Sequence, residues 1–170
     1  ENLVIADERI TAIIAEVDGF ADIGDSHVII PWDEVEVDPD GFETPLTRDT
    51  LEDYDLWADG TVMRETVDSI RRVDDGGVEY SNAAYRLTDL VNDYVTAEGV
   101  GQGYVDDAIF ARDGALRAVV WLAQGGYYAL PFRGSDYGYR PATNEYELQT
   151  GVERIADLEP FRYENLDNGW

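Results

Sequence analysis

The chain's single histidine, His27, directly follows Ser26, and a serine beside a base is the pairing from which acyl-transfer nucleophiles are made. The residues that follow, Val28-Ile29-Ile30, predict a strand, and neighbours in an extended strand point to opposite faces. Ser26 and His27 are therefore expected to be a polar entry into a strand and not a proton-sharing pair. Cysteine is absent, which excludes disulfides, thiolate metal sites, iron–sulfur clusters and thiol nucleophiles. One histidine without sulfur ligands leaves no donor set for zinc or haem.

Carboxylates are abundant: 37 Asp and Glu in 170 residues. Hard cations take oxygen ligands, so calcium is the one cofactor this composition could serve. The loop Asp18, Asp22 and Asp25 is the candidate metal site, with Asp38, Asp40 and Glu43 and the pair Asp74-Asp75 as further acidic loops. None fits the calcium-binding helix–loop–helix pattern. Aligning Gly41 with that loop's obligatory glycine puts Thr47 where a bidentate glutamate is required. Two carboxylates could also flank a glycosidic bond, but nothing singles out one pair among so many. No catalytic residues are assigned.

Aromatic residues crowd the last third of the chain. Alternation places Tyr127 and Tyr128 on opposite faces of a strand, so about half of the ring set should be core. The segment RGSDYGYRPATNEY lacks apolar periodicity, and its tyrosines and arginines have the composition of a recognition loop. Arg133, Tyr137, Tyr139, Arg140, Tyr146 and the terminal Trp170 are the expected partner-binding residues. Phe161 and Tyr163 are expected to pack back on the fold or to dock on a neighbour.

The formal charge is −25, and all twelve basic residues are arginine. Such a surface repels phosphate backbones and anionic membrane faces, so nucleic acid is excluded as a partner and cations or basic proteins are favoured. The composition also suits hydration in high salt, where screening suppresses self-repulsion. No apolar run reaches the length of a membrane span, and no signal peptide is visible. The chain opens on Glu-Asn-Leu-Val-Ile, as if within a strand, so a leader and some mature residues are expected upstream, in keeping with a periplasmic or secreted bacterial protein.

Two hairpins organise the sequence. NLVIAD and RITAIIAEV flank a turn at Asp7-Glu8-Arg9, and DAIFARDGALRAVVWLA turns at Asp113-Gly114. A loop follows each, then a strand ending in proline and an aromatic: HVIIPW in the first half and YYALPF in the second. Pro31 and Pro131 correspond, as do Val4 and Ile109. Each half continues into a strand and a short helix, FETPLTRDTLEDY and YELQTGVERIADL, with Thr47 a helix start and Thr150 with Glu153 a capping box. These matches argue for duplication. Residues 1–59 form the first copy, 60–82 a linker with a modest helical pattern, and 83–170 the second copy with a C-terminal extension.

These motifs resemble the PRC-barrel family, named for a domain of the photosynthetic reaction-centre H subunit and found also in ribosome-maturation proteins. Leu87-Thr88-Asp89-Leu90-Val91, Gly103-Tyr104-Val105-Asp106-Asp107, Asp113-Gly114 and Pro131-Phe132 follow its pattern in the second copy. Asp18-Gly19-Phe20-Ala21-Asp22-Ile23-Gly24-Asp25 and Val28-Ile29-Ile30-Pro31-Trp32 follow it in the first. The first copy lacks the family's two initial strands, and the second shortens its loop to Gln124-Gly125-Gly126. The resemblance implies a mainly β fold of two tandem small open β-barrels, and a binding and assembly role without a shared reaction. A vacant edge on the Asn2–Val17 hairpin would then be completed by the linker or by another chain. Open edges accept partner strands, so protein binding or self-association is the expected function, with cation binding the alternative and an unidentified hydrolase a third.

Overall fold

The computed structural model describes residues 2–17, 26–38, 41–54, 56–57, 84–97, 100–123, 125–131, 138–140, 145–148 and 159–168. The chain is mainly β, as its patterning predicts, and none of its three sheets closes into a barrel among these residues. It divides into two compact units, Glu1–Leu87 with Arg112–Ala115, and Thr88–Ala111 with Leu116–Trp170.

In the first unit β1 (Asn2–Ala6), β2 (Arg9–Val17) and β3 (Ser26–Pro31) form an antiparallel meander. Ile10 to Ile14 of β2 are all buried, which requires cover on both faces of the strand. One face packs Val4, Ala6, Ala12, Ile14, Ile29 and Ala84 together. The other sets Val28, Ile30 and Leu51 against Ala15, Val17, Val35, Leu46 and Tyr54. Alternation along β2 and β3 thus serves two apolar layers, which is why both strands read as nearly continuous apolar runs.

After β3 the chain makes a one-turn 3-10 helix, Trp32–Glu34, and an exposed hairpin of β4 (Glu36–Asp38) and β5 (Gly41–Glu43). Phe42 stacks edge-on to Trp32, with ring centroids 5.7 Å apart. Thr47 does not start a helix: it closes a turn with Thr50, its hydroxyl accepting from the Thr50 amide at 3.2 Å and the Thr50 hydroxyl from the Thr47 amide at 2.8 Å, and Thr50 is the N-cap of the helix that follows. Only a 3-10 turn follows, Leu51–Asp53. The Tyr54 hydroxyl then donates to Glu34 at 2.6 Å, and that bond pushes its pKa up to about 12. Strand β6 (Leu56–Trp57) adds to the free side of β3.

The edge of β1 is not vacant. Strand β7 (Tyr85–Arg86) pairs with it, Val4 opposite Arg86 and Ile5 opposite Tyr85. Over these two residues the pairing comes from within the chain, so the hairpin edge is not wholly open. Tyr85 and Arg86 supply this pairing at Val4 and Ile5, because the buried amides and carbonyls of β1 need partners. The turn Arg112–Ala115 belongs to the same unit: Ile10 donates its amide to the Gly114 carbonyl at 2.9 Å, and Arg9 bonds Asp113. Gly114, at φ +82°, lies under the Trp32 indole, where a Cβ would come within 2.6 Å of Nε1.

The second unit is a six-stranded sheet of β8 (Tyr94–Ala97), β9 (Val100–Phe110), β10 (Leu116–Ala123), β11 (Gly126–Pro131), β12 (Tyr139–Arg140) and β13 (Glu145–Glu147), in the order β11-β10-β9-β8-β13-β12. All neighbours are antiparallel except β13 and β8. Trp121, fully buried, leads the core with Val95, Val105, Val119 and Val120. The expected proline correspondence is visible in the register. Pro31 and Val4 both face Ala12, while Pro131 and Ile109 both face Ala118. The linker helix pattern and the capping box at Thr150 lie outside the described residues.

Two positions test this account of the fold. The two-residue turn between Ala6 and Arg9 holds both Asp7 (φ 49°) and Glu8 (φ 64°) in the left-handed region, the geometry of a type I′ hairpin. Glu8→Gly should raise stability by about 1 kcal/mol, since glycine adopts this conformation without a Cβ penalty. Burial, and secondarily Asp7, also raises the Glu8 pKa, so the folded state disfavours its charge. The wild type recovers this loss as pH falls through the raised pKa, and the gain from the variant should be larger at neutral than at acidic pH in chemical denaturation. Gly103, at φ +142°, would place a Cβ 2.2 Å from the Leu122 carbonyl oxygen and 2.7 Å from Trp121 Nε1. Gly103→Ala should destabilise by roughly 2–4 kcal/mol in the same assay, as the central strands must part to admit it.

Candidate functional site

Cross-strand register builds one row of side chains over the second unit's sheet. Tyr94 on β8 stands opposite Tyr104 on β9, Tyr104 opposite Leu122 on β10, and Leu122 opposite Tyr127 on β11. Residues directly opposite in a ladder share a face, so the four lie side by side across about 14 Å of sheet. The tyrosines are exposed at 55%, 45% and 41%, while Leu122 is half-buried between them. Their neighbours in sequence turn inward: Val95, Val105 and Trp121 are fully buried. Tyr128 packs on Trp121 with centroids 5.8 Å apart, which gives Tyr127 and Tyr128 the opposite faces that alternation predicts.

Local chemistry fixes this row. Tyr94 and Tyr104 have centroids 4.7 Å apart, and the Tyr94 hydroxyl bonded to Tyr104 raises the Tyr104 pKa. A bulge in β9 between Val105 and Asp107 turns Asp106 out to solvent. At the β11 end, Phe161 donates its amide to the Tyr127 carbonyl at 2.8 Å and stacks edge-on with Tyr163. Tyr163 opens a 3-10 helix, Tyr163–Asn168, and is itself 46% exposed. Its hydroxyl donates to Asp107 at 3.1 Å, and burial together with that carboxylate pushes its pKa up to about 12. Phe161 and Tyr163 therefore pack back on the sheet, one of the two placements expected of them. Phe161 also occupies an outward-facing carbonyl of β11, which shortens that strand's open edge.

The other sequence-derived candidates fall elsewhere. Tyr146, on β13, is 5% exposed and faces Val95 on β8, so it is a packing residue and does not reach the surface expected of a recognition residue. Tyr139 lies half-buried on β12, and its hydroxyl donates to the Asp89 carbonyl at 2.8 Å. The backbone of Arg140 pairs with Glu145. Arg133, Tyr137 and Trp170 lie outside the described residues, as do Asp18, Asp22 and Asp25. No group of three His, Asp or Glu side chains is close enough to hold a metal among the described residues. His27 sits in β3 between Glu16 and Trp57. No helix among the described residues is long and apolar enough to cross a membrane.

Tyr94 and Tyr104 were not singled out from the sequence. The signal was available in Gly103-Tyr104-Val105-Asp106, where small or apolar residues alternate with a tyrosine and an acid, but alternation alone does not reveal which rings meet across strands. The chain matches no protein-family model, no curated protein and no solved structure.

Beneath the sheet, Asn92 (φ 74°) donates its amide to the Val105 carbonyl at 2.7 Å, and the Asp93 carbonyl accepts from the Val105 amide at 3.0 Å. This seats the Asp93 carboxyl in the fold, with Oδ2 buried and without a hydrogen-bond partner among the described residues. Burial raises its pKa, Tyr139 offsets part of the shift, and Asp89 adds to it. The charged form is therefore disfavoured in the folded state, so stability contributed through Asp93 should rise as pH falls from neutral through the raised pKa. Asp93→Asn should lose that component. Denaturation midpoints at about pH 7 and about pH 5 should show a smaller difference for the variant than for the wild type.

Proposed function

We propose that this chain is a non-catalytic protein-binding module, of two tandem PRC-barrel-like copies on a salt-adapted acidic surface, and that it docks its partner on the tyrosine row of the second unit. The observation that carries this reading is the row itself: Tyr94, Tyr104 and Tyr127 stand in cross-strand register and exposed, whereas the other large apolar side chains described on these strands are buried or partly buried. With Tyr163 they present on the order of 400 Å² of aromatic surface, within the size range of the largest patch on a typical monomer, which is often functional. Tyrosine is also the side chain that binds with little loss of rotamer freedom while remaining compatible with water.

Face docking is favoured over strand donation. β7 occupies the edge of β1 at Val4 and Ile5, and Phe161 covers the Tyr127 carbonyl on β11. A second copy is a poor occupant, since each chain carries −25 and like charges oppose their approach.

The triple variant Tyr94→Ser/Tyr104→Ser/Tyr127→Ser, whose sites are exposed, should still melt cooperatively, with its midpoint lowered only by the lost Tyr94–Tyr104 contact, worth about 1 kcal/mol or less. In affinity capture from an extract of the source cell, a partner retained by the wild type should be lost by the variant, and the wild type should scatter light as a monomer at moderate salt. Identical protein sets on both baits would sink the reading.

A further inference from the structure

We infer that the occupant of the tyrosine row is an extended, arginine-bearing segment of a basic partner, its guanidinium groups stacked on the rings; this rests on the reading that the row is the docking face.

Three observations select that chemistry. The first is charge. The chain carries −25 with no lysine, and exposed Asp106 stands beside Tyr104 on β9, with Asp107 held next to Tyr163, so the field over this face attracts cations. The second is the surface presented. Exposed rings carry negative π faces, which attract a cation within about 6 Å of the centroid, and a planar guanidinium can stack where an ammonium only approaches. The third is size and spacing. An exposed area on the order of 400 Å² is about half of what each partner of a stable globular complex buries, which fits an extended segment better than a folded domain. Tyr94 and Tyr104 lie 4.7 Å apart and form one platform. Tyr127 stands two strands beyond Tyr104, about 10 Å away. Side chains three residues apart on a polyproline-type helix repeat every 9 Å or so, so two arginines in the spacing Arg-x-x-Arg reach both platforms together.

The test is calorimetric titration of the full chain with three short peptides of one proline-containing sequence, with arginine, lysine or glutamine at two positions three residues apart. The arginine peptide should bind about three- to tenfold more tightly than the lysine peptide of equal charge. The variant Tyr104→Ser/Tyr127→Ser, with circular dichroism confirming its fold, should lose that preference and retain only a weak, salt-sensitive attraction common to both cationic peptides. Equal affinity for arginine and lysine peptides, or an arginine preference that survives in the variant, would overturn the inference. Tyrosine-dependent binding of the glutamine peptide at equal strength would also overturn it, while leaving the face as a docking surface. If the partner captured from extract also proves indifferent to the tyrosines, the docking face fails with it.

Discussion

Each half of this protein depends on a strand buried on both faces. Ile10 to Ile14 in β2 and Ala118 to Trp121 in β10 have no side open to water, so every peptide group along them must find a partner in the sheet. That requirement fixes the flanking strands and their register: Ala12 sits between Val4 and Pro31, and Ala118 between Ile109 and Pro131. It also explains where proline is tolerated. Pro31 ends its strand and Pro131 ends an edge strand, positions at which a missing amide costs little. Completing β1 with Tyr85–Arg86 follows from the same demand.

Once the central strands are satisfied, the remaining freedom lies at the surface, and there the chain places acid and tyrosine. Glu36 faces Glu43 directly across the β4–β5 hairpin, an arrangement that like-charge repulsion weakens in dilute salt and that screening relieves. The hairpin is held instead by Phe42 against Trp32 and by the Asp38 carboxylate on the Gly41 amide. On the second sheet, acids flank the aromatic row without replacing it. Tyr94 and Tyr104 pack on each other, yet all three tyrosines of the row keep two-fifths or more of their surface in water, which is why the row supports a docking reading more strongly than the acidity does.

Local signals were legible wherever they depend on near neighbours. The two hairpins, the turn residues Asp7-Glu8 and Asp113-Gly114, the proline-terminated strands and the opposed faces of Tyr127 and Tyr128 all follow from alternation and backbone preference. The candidate site was less legible. Alternation splits Tyr127 from Tyr128 without saying which of the two is exposed, nothing local distinguishes Tyr94 or Tyr104 as site residues, and Tyr146 is buried despite its tyrosine-rich surroundings. Composition marks a tyrosine-rich segment as sticky, but it cannot say which rings a sheet will bury.

By itself the sequence determined a mainly β chain without cysteine, a net charge of −25, and the correspondence of Pro31 with Pro131, because composition and period-two patterning belong to the chain whatever it packs against. Only the tertiary structure decided that β7 would close the side of β1, that β13 would enter the second sheet parallel to β8, and that Tyr94, Tyr104 and Tyr127 would stand in one row. The first two are pairings between residues distant along the chain, and the row depends on the register of three successive hairpins. Their register is set by burying two apolar faces at once, and a one-residue slip in any strand would turn the same tyrosines into the core.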